Sequence, residues 1–283
     1  SASGIPAALR KVDGKLAAFA YPESAARALG RVAARAEWLR RPHGAIPVIE
    51  GIDREKAERI VDQALAQGDD TWLGPPPTRE LLRAYGIVVV EERLVGSAGE
   101  AATAASELGF PVVVKSAAPG VHKTETGGVA LDLGDEEQVR AAAERIGGPV
   151  LVQPMIQGGA ELLAGLVQDP VFGPLVAFGP GGVLAELIGE ASFRIAPLTD
   201  VDAEELVTEG KAGRLVRGFR GAPASDSGAL ADLVLRLALL GEDLPAIAEL
   251  DLNPVIARPD GYIAVDARVR VRSPQRVTRA KSW

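Results

Sequence analysis

The segment VVVKSAAPGVHKTETGGV, residues 112–129, runs from a β-branched stretch that ends in a lysine into a glycine-containing loop and then into a second strand. Glycine has no Cβ, so Gly127 and Gly128 let the backbone N–H groups of such a loop approach a phosphate. Lys115 and Lys123 would neutralise phosphoryl oxygens as point charges. Only seven of the 31 basic residues are lysines, so two around one loop are unusual. The pattern fits a phosphate-binding loop, and it fits equally well the ordinary alternative, a surface hairpin with exposed lysines.

The same loop contains one of the two histidines of the chain, His122, whereas His43 lies in a linker next to proline and glycine. The two histidines therefore do not form a histidine-rich metal cluster. A lone histidine is most often structural or simply exposed. In a phosphate loop it could act as a general base, or as a nucleophile that takes a phosphoryl group and becomes a phosphoramidate. The surrounding loop favours the second role.

A second informative segment is a hairpin near the C-terminus. Glu249, Asp251 and Asn253 alternate with apolar residues and so share one face of a strand. A turn at residues 258–261 would place Asn253 directly opposite Asp266, with Cβ atoms about 5 Å apart. Two hard oxygen ligands at this separation suit a magnesium ion that also binds phosphate oxygens. The alternative is a solvated strand face.

Weaker signals lie between these two segments. Gln153 and Met155 fall where two lobes would join, and such a segment could hold an adenine ring, with Glu161 accepting hydrogen bonds from ribose hydroxyls. The glycine-rich stretch 179–182, followed by Arg194, could be a second loop on the phosphate side or merely a turn.

The order of elements predicts an α/β protein of two lobes with a ligand cleft between them. Helix and strand patterns alternate up to residue 148, and the remainder is richer in strands. We expect a helical remnant and linker at residues 1–45, a helix and connecting loop at 46–77, a first lobe at 78–148 and a second lobe at 149–283.

Composition limits the classes of function. The 283 residues are 47% apolar and 24% charged, as in a folded chain of about two domains. Without cysteine, disulfides, thiol catalysis and cysteine zinc sites are excluded. The net charge of −7 argues against a nucleic-acid partner. No uninterrupted apolar stretch reaches about 18 residues and no signal-peptide pattern begins the chain, so we expect a cytoplasmic protein without a membrane partner.

Several motifs in a fixed order carry a resemblance to a known family. They are LLRAYGIVVV at 81–90, the segment 112–129, VQDPVFGPLVAFGPGGVLAE at 167–186, ELDLNP at 249–254 and VDAR at 265–268. Together they resemble the ATP-grasp domain of ADP-forming acyl-CoA synthetases such as acetate–CoA ligase. These enzymes are relatives of succinyl-CoA synthetase, and the likeness is to the beta subunit. The resemblance implies an ATP-grasp fold of two lobes with the nucleotide cleft between them.

The resemblance also implies the site. It gives a set of ATP-binding positions, namely Lys115, Lys123, Gly127, Gly128, Gln153, Met155, Glu161 and Arg194. It implies that Asn253 and Asp266 hold Mg²⁺ and that His122 is transiently phosphorylated. The implied reaction is acyl-CoA + ADP + phosphate ⇌ acid + CoA + ATP, with His122 relaying the phosphoryl group. The acyl group and the choice of ATP or GTP stay open.

The N-terminal residues 5–41 resemble the end of the CoA-ligase region that precedes the ATP-grasp domain in fused chains. The CoA-binding domain and its own histidine loop are not found in the sequence. We therefore expect CoA to bind mostly outside this chain, on a partner domain or subunit that carries the other phosphohistidine, and a homo-oligomer stays open.

Two other functions remain as alternatives. One is an ATP- and CoA-sensing regulatory module of a protein lysine acetyltransferase, and the other is a different ATP-grasp ligase. The combination of His122, Asn253 and Asp266 favours phosphoryl transfer, because a sensor needs no relay histidine and ligases that form acyl phosphates directly need none either.

Overall fold

The computed structural model describes residues 17–118, 127–182 and 191–273. The chain divides into two compact units, residues 1–43 and 44–283. Helix α1, Pro22–Arg40, belongs to the first unit, and none of its residues is buried. The guanidinium of Arg35 lies 4.1 Å from the centre of the Trp38 ring. This helix lies within residues 1–45, where the sequence predicts a helical remnant.

The second unit alternates helices and strands along its length. In chain order its elements are α2 Arg54–Leu65, β1 Asp70–Trp72, α3 Pro75–Ala84, β2 Arg93–Val95, α4 Ala98–Leu108, β3 Val112–Ser116, β4 Val129–Leu133, α5 Glu136–Ile146, β5 Val150–Pro154, β6 Ala160–Asp169, β7 Gly173–Pro180, β8 Ser192–Ile195, α6 Asp200–Thr208, α7 Gly210–Val216, α8 Ser227–Asp243, β9 Ile247–Arg258, β10 Gly261–Ala264 and β11 Ala267–Arg272.

The larger of two antiparallel sheets has the strand order β1-β11-β9-β6-β7-β8, with β10 paired to β9. Helices α6, α7 and α8 pack against its central strands. Leu166, Leu250 and Val269 point into the apolar core on this helix-covered face. Because side chains alternate along a strand, Asp251 and Asn253 lie on the opposite face, as the sequence predicts.

The smaller sheet has the order β2-β5-β3-β4 and is backed by α4 and α5. The strand residues that pack against these helices are Val112, Val114, Val150 and Val152. Their alternating neighbours Lys115, Leu151 and Gln153 therefore point away from the helices and towards the larger sheet. The two helix-backed sheets confirm the predicted α/β fold of two lobes.

The register of the β9–β10 hairpin agrees with the prediction. Gly261 pairs with Arg258 across the turn, and the same register continues to Ala264 opposite Val255. Beyond the end of β10, the backbone N–H of Asn253 donates to the carbonyl of Asp266 at 3.3 Å. The predicted juxtaposition of these two residues is confirmed.

Some elements differ from expectation. Leu81 and Leu82 of α3, which we expected in the first lobe, are fully buried in the core of the larger sheet. Strand β5, expected in the second lobe, pairs with β3 and β2 of the smaller sheet. The sequence pattern also predicts a strand at 87–91, where the structure has an isolated bridge from Val89 to Ala264. It predicts a further strand at 184–188, which lies outside the described residues. Apolar burial across the chain, rather than sequence proximity, assigns α3 to the larger sheet.

Among the described residues, no helix combines the length and the apolar character that crossing a membrane requires.

Candidate nucleotide site

The side chain of Lys115 connects the two sheets. Its position on β3 turns it away from α4 and α5, and the side chain is only 6% exposed. The ammonium Nζ donates to Asp266 Oδ1 at 2.9 Å and to the carbonyl of Val265 at 3.1 Å. It also lies 3.6 Å from Glu92 Oε2. A buried cation is thus held between two carboxylates, one of which comes from the hairpin of the other sheet.

The side chains of Asn253 and Glu161 both lie next to Gly182. The backbone N–H of Gly182 donates to Asn253 Oδ1 at 2.9 Å. Glu161 lies on the same open face of the larger sheet, and a Cβ added to Gly182 would overlap its carboxylate. Gly182 has a φ of +60°, so a side chain there would also strain the backbone. The glycine therefore lets the chain pass close to both polar side chains.

The oxygens of Asn253 and Asp266 fit a hard divalent cation such as Mg²⁺, which binds through one or two carboxylates or carbonyls together with substrate phosphates. In the parts of the chain that the structure describes, no group of three or more His, Cys, Asp or Glu side chains is arranged to hold a metal. Asn253 and Asp266 offer two oxygen ligands, and a cation held by them would take its remaining ligands from water and substrate.

Gln153 is buried on the same face of the smaller sheet as Lys115, with 4% of its surface exposed. Its Oε1 is buried without a hydrogen-bond partner. An orphaned buried acceptor is costly, and a ligand with an N–H donor would satisfy it. Met155 directly follows the end of the same strand and is half-buried. Its backbone N–H donates to the carbonyl of Pro111 at 2.9 Å.

The predicted phosphate loop is described only at its ends. The backbone N–H of Ser116 donates to the carbonyl of Gly128 at 2.8 Å, which closes the base of the loop. Gly127 has a φ of +70° and open space at its Cβ position. His122 and Lys123 lie outside the described residues, so their predicted roles stay predictions.

Arg194 lies elsewhere on the larger sheet. It opposes Val176 of β7, which belongs to the helix-side core, so its side chain points towards the helices. There its guanidinium forms a bidentate ion pair with Glu209 at 2.8 and 2.9 Å. Hydrogen bonding to Glu209 raises the pKa of Arg194, and hydrogen bonding to Arg194 lowers the pKa of Glu209. No contact in the structure joins Arg194 to Lys115, and its predicted contact with ATP stays a prediction.

Two residues at this site gave no signal in the sequence. Glu92 follows the segment that pairs with β10, and Arg79 lies on α3, where Nη1 donates to the Glu92 carbonyl at 2.6 Å. Both line the pocket that contains Lys115. Glu92 is distant from Lys115 along the chain, so the sequence does not show their contact. Arg79 looks in the sequence like an ordinary solvating residue of a surface helix.

Two helix-backed antiparallel sheets lie on either side of a buried lysine, a buried acceptor without a partner and the close backbone approach at Gly182. These features define a two-lobed nucleotide-binding protein. Residues 63–271 match the family model of the ATP-grasp domain. The chain belongs to the ATP-grasp family and is similar to the beta subunit of ADP-forming acetyl-CoA synthetases.

Three relatives show where the similarity falls. "Acetate--CoA ligase [ADP-forming] I" of Archaeoglobus fulgidus is 42% identical over 77% of this chain, which spans 33% of that protein. The beta subunit of "Acetate--CoA ligase [ADP-forming] I" of Pyrococcus furiosus is 37% identical over 76% of this chain and 97% of its own length. An acetyl-coenzyme A synthetase 1 of Ca. Korarchaeum cryptofilum, solved with coenzyme A and Mg-AMPPCP, is 41% identical over 76% of this chain and all of that chain, with a TM-score of 0.67.

Proposed function

We propose that this chain is the nucleotide-binding, phosphoryl-transferring part of an ADP-forming acyl-CoA synthetase. The observation that carries the proposal is the buried Lys115, which meets Asp266 on a hairpin where Asn253 lies opposite. Relatives that share this part of the chain are ADP-forming acetate–CoA ligases, and one is solved with Mg-AMPPCP.

In this proposal each group of residues has its own task. Lys115 neutralises phosphoryl oxygens of the nucleotide from a site where little water screens its charge. Gln153 and Met155 line the adenine pocket, and the carboxylate of Glu161 accepts from ribose hydroxyls. Asn253 and Asp266 would hold Mg²⁺, which supplies charge neutralisation for a phosphoryl group in transfer.

The proposed role of His122 is to relay the phosphoryl group. An imidazole nitrogen bonds to phosphorus as the bond to the previous carrier breaks, which gives a phosphoramidate, and the terminal oxygen of ADP then attacks the same phosphorus and releases neutral histidine. The phosphoramidate keeps a transfer potential that hydrolysis would lose. The acyl phosphate would arise on a CoA-binding partner subunit or domain, as the beta-subunit relatives suggest.

Intact-mass measurement after incubation with Mg-ATP tests the relay. We expect an acid-labile adduct of roughly 80 Da on the wild-type chain at neutral pH. The adduct should disappear in His122→Ala and persist in His43→Ala, which is a matched control because the chain has two histidines. An adduct that survives in His122→Ala, or no adduct on a wild-type chain that binds Mg-ATP, would refute the relay.

A further inference from the structure

The pocket next to Lys115 contains more positive charge than one phosphate-binding lysine requires. The lining residues that matter here are Trp72, Arg79, Glu92, Lys115, Asp266 and Arg268, and we call this site the Lys115 pocket. Three of these side chains are cationic and two are carboxylates, so together they carry one net positive charge. A pocket with this balance favours an anion over a neutral ligand.

Arg79 lines the pocket with an incomplete set of hydrogen bonds. Its Nη1 donates to the carbonyl of Glu92 at 2.6 Å, which fixes the guanidinium at the pocket. Its Nε is buried and has no hydrogen-bond partner. A buried donor without an acceptor costs free energy, and an anionic oxygen in the pocket would remove that cost.

The other walls of the pocket suit an oxyanion as well. Arg268 also lines the pocket, with its guanidinium carbon 4.8 Å from the centre of the Trp72 ring. The N-terminus of α3 also faces the pocket but begins with residues 75–77, all prolines, which have no backbone N–H to donate. Side chains must therefore supply the donors that a helix N-terminus usually offers.

We propose that Arg79 is a further phosphate-binding residue, which contacts the anion directly beside Lys115 in the Lys115 pocket. This inference rests on the proposed function for the identity of the nucleotide, and it adds a ligand that the sequence did not indicate. The terminal phosphate of a nucleoside triphosphate and inorganic phosphate share the chemistry that the pocket recognises, namely a tetrahedral anion with several oxygen acceptors.

Calorimetric titration of the full chain with three probes tests the subsite and separates these sources. The probes are AMP, which has no phosphate beyond the first, Mg-AMPPCP, and inorganic phosphate. The variants are Arg79→Gln, Arg79→Lys and the matched control Arg83→Gln, which removes an exposed arginine one turn later on the same helix. Thermal unfolding of each variant reports whether the fold is kept.

We expect Arg79→Gln to weaken binding of Mg-AMPPCP about tenfold to a hundredfold, as loss of a charge-assisted hydrogen bond does, and Arg79→Lys to weaken it less. AMP binding should stay within about twofold, because the contact proposed for Arg79 is to a phosphate beyond the first. A loss confined to inorganic phosphate supports the subsite with free phosphate as its occupant.

One result would overturn the subsite, and another would overturn the proposed function. If Arg79→Gln binds both Mg-AMPPCP and inorganic phosphate like Arg83→Gln, the subsite is refuted. If the wild-type chain binds neither AMP nor Mg-AMPPCP, the proposed function fails, and the phosphate titration still decides whether the pocket binds an oxyanion.

Discussion

Replacing Lys115 with methionine removes a buried cation while keeping most of the length of the unbranched side chain. The lysine ammonium lies 2.9 Å from an oxygen of Asp266 and 3.6 Å from an oxygen of Glu92. At an effective dielectric constant of about 20, these separations correspond to about 6 and about 5 kcal/mol of attraction. Desolvation of the lysine offsets much of this, so the gross attraction exceeds the net contribution to stability.

The cost of the substitution comes mainly from the carboxylates left behind. Removing one partner of a buried ion pair destabilises a protein by about 3–5 kcal/mol. The side chain of Asp266 is 30% exposed and keeps part of its hydration, whereas that of Glu92 is 11% exposed. We therefore expect Lys115→Met to lower the free energy of unfolding by about 3 kcal/mol, at the low end of that range.

Urea unfolding followed by circular dichroism measures this difference. Lys56→Met is the control, because Lys56 pairs with Glu80 at 3.3 Å on the surface and should cost less than about 1 kcal/mol. The double variant Lys115→Met/Asp266→Asn should recover about 1–2 kcal/mol relative to Lys115→Met, since it neutralises one uncompensated carboxylate. Equal stability of Lys115→Met and Lys56→Met would refute the reasoning.

Arg194→Ala should lower the free energy of unfolding by about 1 kcal/mol at neutral pH, because it breaks the bidentate pair with Glu209. The pKa of Glu209 is lowered in the folded state, so this contribution is present above the unfolded pKa and is lost as the pH falls through the folded pKa. Urea unfolding between neutral and acid pH checks this. An unchanged ATP affinity would assign Arg194 a structural role alone. Gly182→Ala should weaken nucleotide binding severalfold in fluorescence titrations, because its Cβ would displace Glu161 and its φ of +60° is strained. Gly173→Ala, with a φ of +79° and open space at its Cβ, is the matched control, and an equal loss in both would contradict a specific role for Gly182.

The residues that the sequence placed correctly are those whose positions depend on local periodicity. Alternation along β9 and a four-residue turn fix the face of Asn253 and its register with Asp266, and both are readable over fewer than about 20 residues. The burial of Lys115 does not follow from this periodicity, because its side chain lies on the face of β3 opposite α4 and α5 and contacts the larger sheet.

The features that the sequence could not give depend on contacts between distant segments. The partner of Lys115 on the other sheet lies 151 positions away along the chain. Arg79 belongs to a helix whose apolar residues Leu81 and Leu82 pack under the larger sheet, and only that packing brings its guanidinium to the pocket. Periodicity identifies the buried face of a helix but does not say which sheet will cover it.

The ion pair between Lys115 and Asp266 also constrains how the proposed ligands bind. A phosphate that recruits Lys115 would break its ion pair with Asp266, and a metal ion that binds Asp266 would break the same pair. Each ligand alone breaks a favourable pair in a site with little water. When both bind, the metal ion takes the place of the lysine next to Asp266, and the phosphate takes the place of the carboxylate next to Lys115. The charge balance is therefore kept. On the proposed function, the geometry of this one pair favours the metal–nucleotide complex over either component, and the coupling follows from charge without any movement of the lobes.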